Sequence, residues 1–137
     1  MAEHFNPREV WPPFGAFSML VAQGDGQVVH LKGQVPLDPD GALIGKGDLR
    51  AQLRQTLENI EAVLASVGGT MADVVSLTHY TTDIGAFMGA GDIRAQFFAE
   101  PYPVTTTVEV ARLYDPEIQV EITATAEIPR ERYHPPA

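Results

Sequence analysis

The stretch Asp48–Gly69, which reads DLRAQLRQTLENIEAVLASVGG, decides how this chain folds. Its apolar residues recur at spacings of three and four, which places them on one face of a helix. Asp48 is suited to cap the start of this helix, and the pair Gly68-Gly69 is suited to end it. The sequence therefore predicts a long amphipathic helix. Its apolar face consists of Leu49, Leu53, Leu57, Ile60, Leu64 and Val67.

A strand and a second helix are predicted after this first helix. Val74–Thr82 is rich in Val, Thr and Tyr, which favour strands. Asp83 then resembles the N-cap of a helix that reaches about Ala99. Three glycines inside that helix each cost on the order of 1 kcal/mol relative to alanine, so we expect the weaker of the two helices here. Its buried side is predicted to consist of Ile84, Phe87, Met88, Ile93 and Phe97.

The last third of the chain predicts two strands. In the segment 104–111 two sets of residues alternate, as they do when successive side chains point to opposite faces of a sheet. One set is Val104, Thr106, Val108 and Val110, and the other is Thr105, Thr107, Glu109 and Ala111. Asp115-Pro116 marks a turn. Over Ile118–Ile128 the apolar residues again take every second position, while Gln, Glu and Thr take the others. This pattern predicts a long final strand with one apolar and one polar face.

The first third of the chain predicts a hairpin. Ser18–Ala22 and Val28–Lys32 have the composition of strands, and the segment Gly24–Gly26 between them tolerates the positive φ angles of tight turns. Prolines and a glycine before Phe17 leave little room for a regular element there. We therefore expect an extended arm over 1–16, one folded domain over 17–128 and a tail over 129–137.

The predicted order of elements is ββαβαββ, which indicates an α+β protein with a mixed sheet. Each helix has a single apolar stripe, so both helices are expected on one face of the sheet. The other face carries Thr and Glu side chains and has no cover from the same chain. Packing of subunits face to face would supply that cover, so the pattern predicts a homo-oligomer.

Composition excludes several classes of function. The chain has 137 residues, which suffices for one domain, and its formal net charge of -9 disfavours binding of nucleic acid. It has no cysteine, and its four histidines lack the spacing of metal ligands, so we expect no disulfide, metal or other cofactor. No run of residues is long and apolar enough to span a bilayer, and the first residues do not form a basic segment followed by an apolar stretch, so we expect no secretory leader. These features predict a cytoplasmic protein without a membrane partner.

Three short motifs carry a resemblance to a known family. Gly33–Asp38, which reads GQVPLD, resembles the Gly-Gln-Ile-Pro-Leu-Asp signature of the Rid (YjgF/YER057c/UK114) family. Gln55–Ile60 is similar to the first-helix motif of that family, and Thr107–Leu113 is similar to its motif near the C-terminus. The three motifs occur in the family's order, and the resemblance covers roughly residues 17 to 128.

The resemblance implies a chorismate-mutase-like fold, a homotrimer and three clefts between subunits. In archetypal members these clefts hydrolyse enamines and imines derived from amino acids. An arginine pairs there with the substrate carboxylate, and a glutamate on the last strand holds or activates water. Glu121 matches that glutamate, whereas Thr105 stands at the position of the arginine. This chain is therefore identified as a divergent member that lacks the catalytic arginine.

Other departures from the family fall in the same implied cleft. Phe17 takes the place of a tyrosine, Lys32 the place of a serine and Gly91 the place of an asparagine. The resemblance further implies that Phe87 forms a wall of the cleft, although packing in the core is the alternative for both phenylalanines. The substrate-binding residues expected from the resemblance are Phe17, Lys32, Gly33, Phe87, Gly91, Thr105 and Thr107.

The two charged positions of this cleft each have an alternative reading. Glu121 is a candidate general base, and an equally weighted alternative is a structural carboxylate satisfied by Lys32 or by backbone amides. Lys32 either binds an anionic group of the substrate or neutralises Glu121, and we favour neutralisation. His30 and His79 are expected to fill half-buried positions of the sheet, with His30 near the edge of the cleft.

We therefore expect a Rid-type hydrolase or deaminase that acts on an enamine, an imine or a related labile bond, with Glu121 as the catalytic residue. Because the arginine is absent, archetypal activity toward 2-iminopropionate is not expected. The alternative is a non-catalytic trimeric protein that binds a small metabolite. Endoribonuclease activity, attributed to some members of the family, ranks third because the chain is acidic.

Overall fold

The computed structural model describes residues 2–136 and shows an α+β fold with two sheets. Its elements, in chain order, are β1 (Glu3–Phe5), β2 (Leu20–Ala22), β3 (Gln27–His30), α1 (Leu49–Ala65), β4 (Val74–Thr81), α2 (Ile84–Met88), α3 (Gly91–Arg94), β5 (Val104–Glu109) and β6 (Val120–Ile128). A single 3-10 turn over Met71–Asp73 precedes β4.

The main sheet has the strand order β3-β6-β4-β5. Strands β4 and β5 are parallel, and the other two neighbouring pairs are antiparallel, so the predicted mixed sheet is confirmed. β6 lies at the centre and β5 at one edge. None of the helices within residues 2–136 has the length and apolar character needed to cross a membrane.

Helix α1 forms as the sequence predicts. Asp48 caps it, since its carboxylate accepts a hydrogen bond of 3.1 Å from the Ala51 amide. Gly68 ends it with a φ of 86°, a left-handed conformation that glycine adopts at little cost. Five of the six predicted apolar-face residues are buried, and Val67 is half-buried. This face packs against β6, and their contact forms the main core.

The single second helix predicted for residues 84 to 99 is wrong. Asp83 caps α2 as expected, accepting from the Ala86 amide at 3.0 Å, but the helix stops at Gly89 and α3 starts two residues later. Glycine costs more free energy in a helix than any residue except proline, which explains why the break falls at this glycine-rich segment. Both short helices lie on the same face of the sheet as α1, as expected, and bury Phe87 and Ile93.

The predicted N-terminal hairpin is also wrong. β2 pairs with β1, a strand that the sequence did not predict, and β3 pairs with β6. The reason lies in Glu127, whose carboxylate accepts hydrogen bonds from the Gly24 and Gly26 amides at 2.9 and 2.7 Å. These bonds fasten the connection to β6 and direct the chain across to it. β3 then ends at His30, so Lys32 lies beyond the strand that was predicted to contain it.

Two predicted strand bounds at the C-terminal end change by about two residues. β5 ends at Glu109 instead of continuing to Ala111, and β6 begins at Val120 instead of Ile118. Asp115 explains the later start, because its carboxylate accepts from the Glu117 amide and its carbonyl from the Ile118 amide, which makes a turn. After β6, the chain folds back, and Arg132 forms an ion pair of 2.7 Å with Asp73.

The main sheet has two different faces. The helix face is covered by α1, α2 and α3 and contains the buried side chains of β4 and β6. The opposite face, here called the outer face, is not covered by any helix, and apart from the buried Glu127 its side chains are half-buried or exposed. By the observed pairing, the outer face includes Val28, His30, Ser76, Thr78, Tyr80, Val104, Thr106, Val108, Glu121, Thr123, Thr125 and Glu127.

Candidate functional site

Glu121 lies on the outer face with its carboxylate against a glycine. It pairs with Tyr80 across β4 and β6 and is half-buried. A Cβ at Gly33 would overlap the Glu121 Oε2, so only glycine allows the carboxylate to lie where it does. Gln34 fixes this glycine, because it exchanges backbone hydrogen bonds of 2.8 and 3.0 Å with Ile122. The GQ motif thus positions the backbone next to Glu121.

Lys32 does not neutralise Glu121 within the chain. The Lys32 side chain is exposed, and none of the ion pairs formed by residues 2–136 includes either residue. The Lys32 carbonyl instead accepts a hydrogen bond of 3.1 Å from the Gln34 side-chain amide. The expectation that Lys32 pairs with Glu121 is therefore wrong for the single chain, and the Glu121 carboxylate faces the open side of the sheet.

Thr105 and Thr107 lie on the helix face, opposite to Glu121. In the parallel pairing of β4 and β5, Thr105 is the partner of Leu77 and Thr107 is the partner of His79. The Thr107 hydroxyl lies 2.9 Å from the Nδ1 of His79 and forms a hydrogen bond with it. Because neighbouring strands place paired residues on the same face, both threonines belong to the region between β5 and the short helices.

His79 is more deeply buried than the sequence suggests. It was expected in a half-buried position, but only 1% of it is exposed. Burial, with a contribution from the positive charge of Arg94, lowers the pKa of His79 to about 3, so the imidazole is neutral at physiological pH. Its Nε2 is buried and has no hydrogen-bond partner in the described part of the chain.

The Phe87 ring contacts both this histidine and Arg94. The Phe87 side chain is fully buried, its ring centroid lies 4.9 Å from that of His79, and the Cζ of Arg94 lies 4.9 Å from the same Phe87 centroid. An Arg guanidinium at this distance over an aromatic face makes a cation–π contact. Gly91 begins α3, and a Cβ added there would lie 3.6 Å from the Nη2 of Arg94. Phe87 is thus a core residue of the single chain, as the alternative reading held.

Phe17 belongs to an aromatic cluster at the N-terminal side of the domain. Its ring lies 5.2 Å from that of Phe14 and 5.8 Å from that of Trp11. The following residue, Ser18, donates its amide to Pro103 at 2.9 Å, which places the cluster beside the start of β5. Phe17 also lines a surface cavity of about 550 Å³.

The candidate residues therefore fall into separate regions of the single chain. The outer region consists of Glu121 with Gly33. The inner region consists of Phe87, Gly91, Thr105 and Thr107 together with His79 and Arg94. Two surface cavities of about 550 Å³ each contain neither Glu121 nor Thr105. Among residues 2–136, no group of three His, Cys, Asp or Glu side chains is placed to hold a metal ion.

Sequence reasoning did not single out Arg94 and gave His79 only a packing role. Arg94 stands three residues after Gly91 and follows the apolar Ile93, but neither feature distinguishes it from an arginine on an exposed helix face. Arg94 is distinguished by a half-buried side chain whose Nε has no hydrogen-bond partner in residues 2–136, which only the folded structure shows.

Comparison with known proteins gives consistent matches along almost the whole chain. A model of the family described as endoribonuclease L-PSP matches residues 9–128. A RutC family protein of Pyrococcus horikoshii is 37% identical over 114 residues, which cover 83% of this chain and 88% of that protein. The 2-iminobutanoate/2-iminopropanoate deaminase of Salmonella typhimurium is 35% identical over 104 residues, covering 74% and 80% of the two chains.

The fold also matches solved structures. The crystal structure of YyfB from Yersinia pestis, described as a member of the conserved Rid protein family, superposes with a TM-score of 0.85. The two chains are 34% identical in sequence, and the match covers 93% of this chain and 98% of YyfB.

Proposed function

The chain belongs to the endoribonuclease L-PSP family, which includes Rid proteins, and from this membership we propose that it is a small-molecule hydrolase of the deaminase type. Its substrate is an enamine, an imine or a compound with a related labile bond. A relative named as an imine deaminase supports this class of reaction. The observation that carries the proposal is the Glu121 carboxylate, held against Gly33 on a sheet face that no helix covers.

Glu121 acts on water in the proposed reaction. The carboxylate accepts a proton as the water oxygen bonds to the carbon of the C=N group, which gives a tetrahedral carbinolamine. The protonated Glu121 then returns the proton to the nitrogen. Glu121 next accepts the proton of the carbinolamine hydroxyl and delivers it to the amino nitrogen, so that cleavage of the C–N bond releases ammonia and leaves a carbonyl compound. The balance is one imine and one water consumed, and one carbonyl compound and one ammonia formed.

The reacting cleft is proposed to lie between subunits of a homotrimer. Glu121 and Thr105 lie on opposite faces of one sheet, so a single chain cannot bring both to the same ligand. A second copy that packs on the outer face can place its β5 edge beside Glu121 of the first. The side chains of the outer face include both polar and apolar groups, and many of them are half-buried, which supports such a contact.

Archetypal activity toward 2-iminopropionate is proposed to be weak or absent. Thr105 stands where the family resemblance places an arginine, and a neutral hydroxyl lacks the two parallel N–H donors that a guanidinium offers a carboxylate. Phe17 similarly lacks the hydroxyl of the tyrosine that it replaces. The remaining residues proposed to line the cleft are Lys32, Gly33, Phe87, Gly91 and Thr107.

A second candidate is a non-catalytic trimer that binds a small metabolite. Thr105 favours it, because the sheet, the Gly33 contact and Glu121 are retained while the residue implied to bind the substrate is replaced. A binding protein needs the framework of the cleft and has no need for a group that activates water.

A panel of imines separates the two candidates. An amino acid oxidase generates 2-imino acids from amino acids of different side chains, and ammonia release is followed with and without the protein. We expect little acceleration with 2-iminopropionate and a clear acceleration with at least one larger imine, lost in Glu121→Gln. If the protein accelerates the hydrolysis of none of the imines, the binding protein is favoured. Strong acceleration of 2-iminopropionate hydrolysis would contradict the proposed loss of archetypal activity.

A further inference from the structure

Arg94 differs from Arg50 and Arg132, the two arginines that form ion pairs within residues 2–136. Arg50 forms an ion pair of 2.6 Å with Asp92, and Arg132 forms one of 2.7 Å with Asp73. Arg94 stands only two residues after Asp92, yet it pairs with no carboxylate in the part of the chain that the structure describes. The carboxylate nearest to it in sequence is already occupied by Arg50.

The surroundings of Arg94 leave its charge uncompensated. Its guanidinium lies over the Phe87 ring, and its Nε is buried without a hydrogen-bond partner in residues 2–136. Burial lowers the pKa of Arg94, and no carboxylate in the described chain raises it. A partly buried cation without an anion is costly, and the contact with one aromatic ring offsets only part of that cost.

A second unpartnered nitrogen lies in the same cluster. The Nε2 of His79 is buried without a partner, and its ring contacts the same phenylalanine as Arg94. The Nδ1 of His79 bonds to the Thr107 hydroxyl. When that hydroxyl donates, Nδ1 accepts and Nε2 carries the hydrogen. The inner region then presents two kinds of N–H donor, a charged guanidinium and a neutral imidazole, which is a combination suited to an anion.

We propose that Arg94 binds the carboxylate of a small-molecule ligand in the inner region, beside Phe87 and Gly91. The inference rests on the proposed function and narrows its substrate class to imines or enamines that carry a carboxylate. Arg94 is then a substrate-binding residue that supplies, from α3, the positive charge that Thr105 does not supply from β5. Gly91 contributes space, since it has no side chain to cover the guanidinium.

Arg94 would make the cleft selective for ligands with a carboxylate even though position 105 is not an arginine. A guanidinium forms two parallel hydrogen bonds to a carboxylate, and stacking on Phe87 holds its plane in one orientation. Because α3 and β5 approach the inner region from different sides, the carboxylate is held at another place than an arginine at position 105 would hold it. A different substrate shape is the expected result.

Binding of stable anions tests the proposal without turnover. The full chain is titrated with 2-oxobutanoate, with benzoate and with benzamide, an uncharged isostere of benzoate, and the Nε–H signal of Arg94 is followed by NMR. We expect at least one of the two carboxylates to bind and to shift this signal, and benzamide not to do so. Arg94→Met should weaken carboxylate binding about tenfold or more, and Arg94→Lys should weaken it less.

Arg50→Met is the matched control, because it removes the same charge from an arginine that already has a carboxylate partner. It should leave the affinity for carboxylates within about twofold. Failure of the wild-type protein to bind either carboxylate, or equal affinity in Arg94→Met, would overturn the proposal. Dissociation of an oligomer in Arg94→Met would also overturn it, because Arg94 would then pair with another subunit.

The same titration distinguishes failure of the inference from failure of the proposed function. Glu121→Gln should still bind the carboxylates while losing turnover of imines. Carboxylate binding through Arg94 without turnover of any imine would leave this inference standing and refute the hydrolase. Turnover of imines that survives in Arg94→Met would refute this inference and leave the proposed hydrolase standing.

Discussion

The outer and inner regions of this molecule share one sheet but differ in what surrounds their polar groups. On the outer face, Glu121 is half-buried, lies against Gly33 and faces the side of the sheet that no helix covers. In the inner region, His79 on β4 and Arg94 on α3 each have a buried nitrogen that lacks a hydrogen-bond partner in residues 2–136. The first region offers a carboxylate to a ligand, and the second offers cationic and neutral N–H donors.

This difference is consistent with the proposed cleft, in which one face of the sheet supplies the carboxylate and the other supplies the N–H donors. A carboxylate and a guanidinium close together in one chain would pair with each other, as Arg132 and Asp73 do. The sheet separates Glu121 and Arg94 within one chain, and the proposed homotrimer would bring Glu121 of one copy close to Arg94 of another. The two regions can therefore be tested independently by substitutions that act on one face only.

The largest expected effect concerns two glutamates of β6. Glu121→Gln should lower turnover of the best imine about a hundredfold or more, because it removes the general base, and should change stability little. Glu127→Gln should do the opposite. Its buried carboxylate holds the Gly24 and Gly26 amides, so we expect a loss of about 1–3 kcal/mol in unfolding free energy with turnover nearly unchanged.

Turnover assays and urea unfolding of the two variants check this contrast. If Glu127→Gln lost activity as severely as Glu121→Gln while remaining folded, the distinction between a reacting and a structural carboxylate would be incorrect.

Lowering the pH should reduce the stability of the fold through His79 in the inner region. Unfolded His79 takes up a proton below its ordinary pKa of 6.5, whereas the folded protein does so only near 3. The unfolded state therefore binds more protons between these values, and stability falls as the pH falls. From pH 7 to pH 5 we expect His79 to account for a loss of about 2 kcal/mol in unfolding free energy.

Urea unfolding of wild type and His79→Gln at both pH values measures this contribution by difference. The variant should lose about 2 kcal/mol less than the wild type, whereas His30→Asn, at an exposed position, should follow the wild type. Identical pH dependence of wild type and His79→Gln would show that His79 is not held neutral by the fold.

The smallest effects are expected at two glycines, one beside Glu121 and one in α2. Gly33→Ala should leave the fold stable, since the overlapping atoms belong to the flexible end of Glu121, but should displace that carboxylate and lower turnover about tenfold. Gly85→Ala, at an exposed position of α2, meets only an ordinary contact with Asp83. It should keep its activity and gain up to about 1 kcal/mol in stability. Equal losses of turnover in both variants would contradict the assignment of Gly33 to Glu121.

Much of the fold could be predicted from the sequence because its periodicity is strong. The α1 stripe, the Asp48 and Asp83 caps and the alternation of β6 each follow from local rules that packing did not override. The hairpin prediction failed because Glu127, about a hundred residues away, fastens the Gly24–Gly26 connection to another strand. A local sequence pattern does not indicate a hydrogen bond between residues so far apart in the sequence.

The candidate site was predictable only where a motif marked it. Glu121 and Gly33 were found through their motifs, and the structure places them in contact. Lys32 was expected within a strand and beside Glu121, but β3 ends before it. Arg94 could not be found, because the burial of its Nε without a hydrogen-bond partner depends on side chains that are distant in the sequence.

A second copy of the chain is proposed to complete the site, and the oligomeric state of the protein is the property to measure. Sedimentation velocity of the full chain at micromolar concentration should give a mass about three times that of the 14.9 kDa chain, with no folded monomer. Dilution should unfold the protein together with dissociation, because the outer face has no cover of its own. A stable folded monomer at micromolar concentration would contradict the account, since Glu121 and Arg94 would then remain on opposite faces of one sheet.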